Sequence, residues 1–446
     1  MEDVEATRKI TLTPNPYQVG IIDFRWTRGG KIAAEKGGGM IRWQDALEII
    51  LGAIGPLDAA RIPIDKAFGL VAAEDVLAAE NLPPFDNSAM DGFAVSHSDC
   101  EGASESSPVS LRVVGDLPAG SVASQDLPKG AAMRIMTGAM MPQGSDCVVP
   151  VEDTRSSGSA VEILKAPKPN GNVRAKGEDV KEGQRAVLAF DVINAAAIGL
   201  LAALGVERIS AIPPAKVGII TTGGELVDIS KCPGPGQIRD SNMHSLSAQV
   251  GYWGAWPIHF PRIPDSPDKV AAAIRRAADM CDVIVTTGGV SVGDYDCVKG
   301  ALAEIGAEQR FWHVAQRPGG PFGFWDYEGR PVFGLPGNPV SAMVMAELYL
   351  RPALAKMMGR MADEAHWQRR VKAKLVEGFS KSGMDGKRHF IRVVAKESES
   401  GWEAKLSGPQ GSAQLFPMKA ANALAMVPED VAEIPMGGEV ELLLFD

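Results

Sequence analysis

Three times in this chain an apolar run of strand length ends in a glycine turn: KVGIITTGGEL (216–226), DVIVTTGGVSVGDYD (282–296) and PVFGLPGNPVSA (331–342). A strand that is apolar throughout must be covered on both faces, which is the pattern of a parallel sheet with helices on either side. The segments between these runs read as helices: SNMHSLSAQV, DKVAAAIRRAADM with Ser266 as N-cap and Pro267 at its first position, a helix from about Tyr295, and one over 340–357. PIHF, FWHVA and PVFG read as further strands. In such sheets ligands bind beyond the carboxyl ends of the strands. The three glycine turns are therefore expected to crowd one edge, and the fold class is a doubly wound, mostly parallel α/β domain over 215–362.

At 446 residues the chain is long enough for two to four domains. Short strands separated by Gly and Pro over 83–172 predict a small β domain, and those over 363–446 a C-terminal β domain. The multidomain class is thus α/β plus β. Residues 41–82 with 173–214 make a mixed linker region that opens on a helix, Trp43–Ile54. Residues 1–40 read as a flexible N-terminal extension. Ile193–Val206 reads as a buried, Ala-rich helix with Asn194 as N-cap and Gly205 just past its end. Met136, Met140 and Met141 read as core.

The charge balance, 45 basic against 55 acidic residues, gives a net −10 and argues against a nucleic-acid partner, which needs a basic face. No apolar run is long enough to span a bilayer, and no secretory signal is visible, so the expectation is a cytoplasmic protein with no membrane partner. The five cysteines form no CxxC pair, so neither a disulfide framework nor a zinc knuckle is expected.

None of the turns is a Walker A or GxGxxG loop. In the third, Pro336 leads to Asn338 as cap and Pro339 at the first helical position. The free N–H groups there and the Ser341 hydroxyl make either an ordinary capped helix or an anion site. Glu225, Asp240, Asp265, Asp294 and Asp296 lie beside the glycines. Singly each reads as a turn or cap residue; together, such carboxylates suit Mg²⁺ bridging to phosphates. PPFDNSAMDG (83–92) reads as a plain loop or a rigid binding lip. Arg317, Lys387, Arg388 and Arg392 are cations suited to oxyanions. His313 reads as a packed strand histidine.

PPFDNSAMDGFAV, RIMTGAMMPQGSDCVV, RAKGEDV, TTGGEL, GQIRDSN, DVIVTTGGVSVGDYD and GLPGNPVSAMV, in this order, resemble the molybdopterin molybdenumtransferase family of MoeA and the gephyrin E domain. The resemblance runs from about Trp43 to the C-terminus. It implies an elongated, four-domain subunit that forms a homodimer, with 41–82 plus 173–214 in dimerisation. It implies insertion of molybdate into adenylylated molybdopterin, release of AMP, and Mg²⁺ as cofactor. The recipients would be molybdoenzyme apo-proteins or cofactor chaperones. Matched to the family's motifs, the catalytic residues fall on Asp91, Thr137, Asp179, Glu225, Asp265 and Asp296. Of these, Glu225, Asp265 and Asp296 would hold metal. Pro336, Pro339, Ser341, Arg317, Arg392 and Ser412 would bind substrate or oxyanion. Asp91 and Thr137 would close the cleft from the other subunit. The chain departs from the family at His313 and Arg317, where lysines are usual, at Gly320 in PGGP for PGKP, and at Gly224 for an aspartate. These departures keep open an alternative, a non-catalytic scaffold or a specialised tungstate or variant-pterin insertase.

Overall fold

The α/β unit expected from the glycine turns is present. The computed structural model describes residues 40–289, 297–360 and 368–445. Six strands form one sheet in the order β2-β1-β3-β7-β6-β4, where β1 is Lys216–Thr221, β2 Trp256–His259, β3 Val283–Thr287, β4 Glu308–Trp312, β6 Gly323–Tyr327 and β7 Arg330–Leu335. A two-residue strand, β5 (Gln316–Arg317), lies between β4 and β6 in the chain. The first four strands of the sheet pair in parallel, and β6 and β4 add an antiparallel edge.

Helix α1 is Trp43–Ala53, and α2 lies further on at Ala195–Ala203. One face of the sheet carries α3 (Asn242–Tyr252), whose Met243, Leu246 and Val250 join Val217, Val285 and Phe333 in the main core. The other face carries α4 (Pro267–Met280) and α5 (Cys297–Glu304), through Val270, Ile274, Ala277, Val298 and Leu302. A long helical stretch closes the unit as α6 (Pro339–Met345), a π turn (Ala346–Leu350) and α7 (Arg351–Met357). Trp43, Leu47 and Ile50 of α1 pack into the same core as α7.

The C-terminal strands are β8 (Arg370–Leu375), β9 (Arg388–Ser398), β10 (Gly401–Leu406), β11 (Ala423–Val427) and β12 (Glu439–Leu444). They run in the order β9-β10-β8-β12-β11, and a β9–β11 pairing closes them into a five-stranded barrel around Leu375, Val393, Ala425 and Leu442. Strand β5 of the α/β unit adds to β9 in parallel, with Gln316 opposite Arg388 and Arg317 opposite His389. A short helix missed in the sequence, α8 (Leu415–Ala420), packs on β9.

Residues 92–163 make a separate six-stranded sheet. Short strands within 60–88 pair with strands within 173–212.

Four local expectations are corrected. Helix α2 keeps its cap, since Asn194 accepts a hydrogen bond from the Ala197 N–H at 2.8 Å, but only Leu201 within it is buried. A helix apolar on every side has no preferred face, and here Ala197, Ile198, Leu200 and Leu201 supply the packing while the other residues stay outside the core. Met141 packs against the core as expected, but Met136 is only half-buried and Met140 is exposed, because they lie past the end of strand 131–135; the fully buried methionine there is Met133. Ser266 and Asn338 precede their helices without side-chain cap bonds. His313 is not a strand residue. It stops β4 in the left-handed region at φ +68°.

Candidate functional site

Because β1, β3 and β7 are adjacent and parallel, their glycine turns do meet at one sheet edge. The Thr222 N–H donates to Thr287 O at 2.9 Å, and the Gly288 N–H to Leu335 O at 3.3 Å. The Thr287 hydroxyl donates to Pro336 O at 3.0 Å. Asn242, at the start of α3, ties two turns with one amide, donating to Thr287 Oγ1 and to Gly337 O, both at 2.8 Å. Gly288 has φ +92°, and a Cβ there would sit 2.4 Å from Thr222 O, so only glycine lets these turns approach so closely.

The carboxylates divide by role. Asp240 is buried and occupied by the fold: its oxygens accept from the Thr221 hydroxyl at 2.6 Å and the Met243 N–H at 3.1 Å. It does the capping work at α3 that Ser241 does not. Glu225 and Asp265 flank the Gly223–Gly224 turn. Asp265 accepts from the Gly224 N–H at 3.2 Å and lies 3.7 Å from Cys297 Sγ. A Cβ on Gly223 would meet the Glu225 carboxylate at 2.7 Å, so the side chain folds back over the turn. Asp294 and Asp296 lie outside the described residues. Among the described residues no group of three or more His, Cys, Asp or Glu side chains is placed to hold a metal ion. The two carboxylates at this turn are hard oxygen donors of the kind Mg²⁺ takes.

The turn after β7 meets the barrel. The Val340 N–H donates to Ser412 O at 3.1 Å, and Asn338 Nδ2 to the Ser412 hydroxyl at 3.1 Å. Asn338 therefore spends its amide on the barrel rather than on its own helix. Pro339 opens α6 and Ser341 is buried in its first turn. Behind Ser412, Arg392 of β9 is wholly buried. Its Nη2 donates to Pro409 O at 2.8 Å and to Gly411 O at 3.2 Å. Gln410 braces its backbone, accepting from the Arg392 N–H at 2.8 Å and donating to Arg392 O at 3.1 Å. Nε and Nη1 are buried with no partner among the described residues. Desolvation lowers the guanidinium pKa from its usual value, but arginine stays charged. A buried cation with two idle donors is unfavourable unless an anion completes it.

Arg317 is exposed on β5. His313 lies close by in the chain, half-buried, its ring centroid 5.0 Å from that of Trp312, with Lys299 Nζ 5.4 Å from the Trp312 ring. Its Nε2 is buried without a partner among the described residues. Burial first, then Lys299 and Lys387, lowers the His313 pKa. Arg388 is paired with Glu429 at 2.9 Å.

Asp91 and Thr137 come together in the small β sheet region. One oxygen of Asp91 accepts from both the N–H and the hydroxyl of Thr137, each at 2.7 Å. These bonds, the backbone one first, hold the Asp91 pKa below the ordinary carboxylate value. Asp179 lines a cleft of about 620 Å³ with Pro83, Asn87, Arg174 and Glu178. No hydrogen bond among the described residues links Asp91, Thr137 or Asp179 to the sheet edge. Asn242 and Gln410 were not singled out as site residues. Asn242 stands in the GQIRDSN motif, whereas nothing in the sequence marks Gln410.

Comparison with known proteins matches the chain from residue 41 to residue 445. Family models for the MoeA N-terminal region (domain I and II), a probable molybdopterin-binding domain and the MoeA C-terminal region (domain IV) match residues 41–205, 218–356 and 372–445. The chain is 37% identical over 386 residues to molybdopterin molybdenumtransferase 2 of Mycobacterium tuberculosis, covering 85% of this chain and 94% of that one. It is 34% identical to the molybdopterin molybdenumtransferase of a Nostoc species, covering 90% and 93%. The crystal structure of the MoeA protein of Pyrococcus horikoshii aligns with a TM-score of 0.77 and 30% identity, over 92% of this chain and all of the other. The chain belongs to the molybdopterin molybdenumtransferase family.

Proposed function

We propose that this protein inserts molybdate into adenylylated molybdopterin and releases AMP. The observation that carries this reading is Arg392: a fully buried guanidinium with two idle donors, bonded to the carbonyl of Gly411, whose neighbour Ser412 holds Asn338 at the start of α6. A tetrahedral dianion supplies the missing charge and accepts from Nε, Nη1 and Ser412 together. Arg317 supplies a further cation from β5, and the Pro336–Ser341 turn the remaining N–H donors.

Glu225 and Asp265, with Asp296, would hold Mg²⁺ at the neighbouring turns. Bound there, the ion would supply positive charge against the phosphates of the substrate. The chain's own part is to hold the pterin and its pyrophosphate over the sheet edge, with the oxyanion pocket alongside. Asp91 and Thr137 close the cleft from the second subunit of a homodimer, and Asp179 lines the neighbouring wall.

The test is AMP release from adenylylated molybdopterin by purified protein with Mg²⁺, run with molybdate, with tungstate and with neither. Release that depends on molybdate supports the reading. Release with tungstate alone makes the protein a specialist, and no release with retained pterin binding makes it a scaffold.

A further inference from the structure

The turn that carries Arg317 is held from below by a buried polar clamp that the reading above does not use. Gln316 is 1% exposed. Its Oε1 accepts from the Tyr349 hydroxyl at 2.5 Å, and its Nε2 rests on Met345 Sδ. Tyr349 is wholly buried, stacked on Phe322 with ring centroids 4.6 Å apart. Tyr349 belongs to the π turn Ala346–Leu350, and Met345 is the last residue of α6. Single π turns inside α-helices recur at functional sites, because the extra residue turns side chains away from the regular helical face.

A carboxamide in an apolar core is unfavourable unless bonded, and methionine of similar size would fill the space without that demand. What the carboxamide adds is direction. In a strand, neighbouring side chains point to opposite faces. Fixing Gln316 inward on the helix therefore fixes Arg317 outward. The ladder to β9 sets the register, with Gln316 opposite Arg388 and Arg317 opposite His389. Beyond Arg317 the turn is pressed onto the same helix. Gly319 has φ +84°, and a Cβ there would lie 2.5 Å from Met345 Sδ.

We propose that Gln316 is a positioning residue for oxyanion binding: clamped between Tyr349 and Met345, it holds the 316–320 turn and with it the outward direction of Arg317. The inference rests on Arg317 being an oxyanion contact.

The experiment compares Gln316→Leu, Tyr349→Phe, the double variant and Arg317→Ala. For each, half-saturating molybdate and kcat are measured in the AMP-release assay, with the melting temperature alongside. Tyr349→Phe removes one oxygen and keeps the ring, so it is informative even where Gln316→Leu folds poorly. The clamp predicts a five- to tenfold rise in half-saturating molybdate for either single variant, with kcat within twofold, and no further rise in the double. A lowered melting temperature with unchanged half-saturation, or additive effects in the double variant, overturns it. Arg317→Ala separates the two claims. If it leaves half-saturation unchanged, Arg317 is no oxyanion contact and the underlying reading fails. If it raises half-saturation while the clamp variants do not, only the role of Gln316 fails.

Discussion

At the scale of single residues, charge is handled in two opposite ways. Asp91 is fully open to solvent, and its two bonds from Thr137 favour the carboxylate. Its pKa is lower folded than unfolded, so the contribution to stability is present above the ordinary carboxylate pKa. That contribution is lost as pH falls through the lowered, folded-state value. A carboxyl NMR titration should therefore give Asp91 a midpoint below the usual value of about 3.9. Thr137→Val, which removes the hydroxyl but keeps the N–H, should move the midpoint part of the way back. A midpoint at or above the ordinary value excludes the contact. Arg392 is the reverse case, a cation held in the dry interior with its own bonds incomplete. Gly320 marks the family departure at its plainest. A Cβ there would meet only Gln316 O at 3.4 Å and Val314 O at 3.5 Å, ordinary contacts. Packing thus leaves room for a side chain at this position.

At the scale of elements, caps are set by the partner available rather than by the local motif. Asn194 caps α2, because nothing else competes for its side chain. Replacing it with Ala should cost about 1 kcal/mol of stability, read as a lower denaturation midpoint at unchanged slope. No change in midpoint would show that the cap bond adds nothing. Asn338 stands at an equivalent position before α6 but faces the barrel, and its amide goes to Ser412 instead. This is why the sequence gives the start of α6 and not the contact that joins it to the C-terminal strands. The parallel order of β1, β3 and β7 was legible from three apolar runs ending in glycine, because burial on both faces leaves such strands few other arrangements. His313 was not legible. Its aromatic and apolar neighbours read as strand, while its left-handed backbone goes with bonds from distant residues, the Ile41 N–H donating to His313 O at 3.2 Å and the His313 N–H donating to Phe322 O at 3.0 Å.

At the scale of the whole molecule, the central feature is that the α/β unit and the C-terminal barrel are joined at two points. Strand β5 leaves the α/β unit to pair with β9, and Ser412 binds the turn that opens α6. Both joints lie at residues that the family resemblance marks as oxyanion-binding. The sequence named Ser341, Arg392 and Ser412 through those motifs. It did not show that Arg392 is buried with idle donors, since burial depends on barrel closure by the β9–β11 pairing, which no local pattern announces. The most direct measurement is an anomalous-difference map at the molybdenum absorption edge, from crystals equilibrated with molybdate. The expected result is a peak within hydrogen-bonding distance of Arg392 Nη1 or Nε and of the Ser412 hydroxyl, lost in Arg392→Leu. A well-occupied peak elsewhere, with Arg392 still lacking a partner, contradicts the assignment of this pocket to the oxyanion.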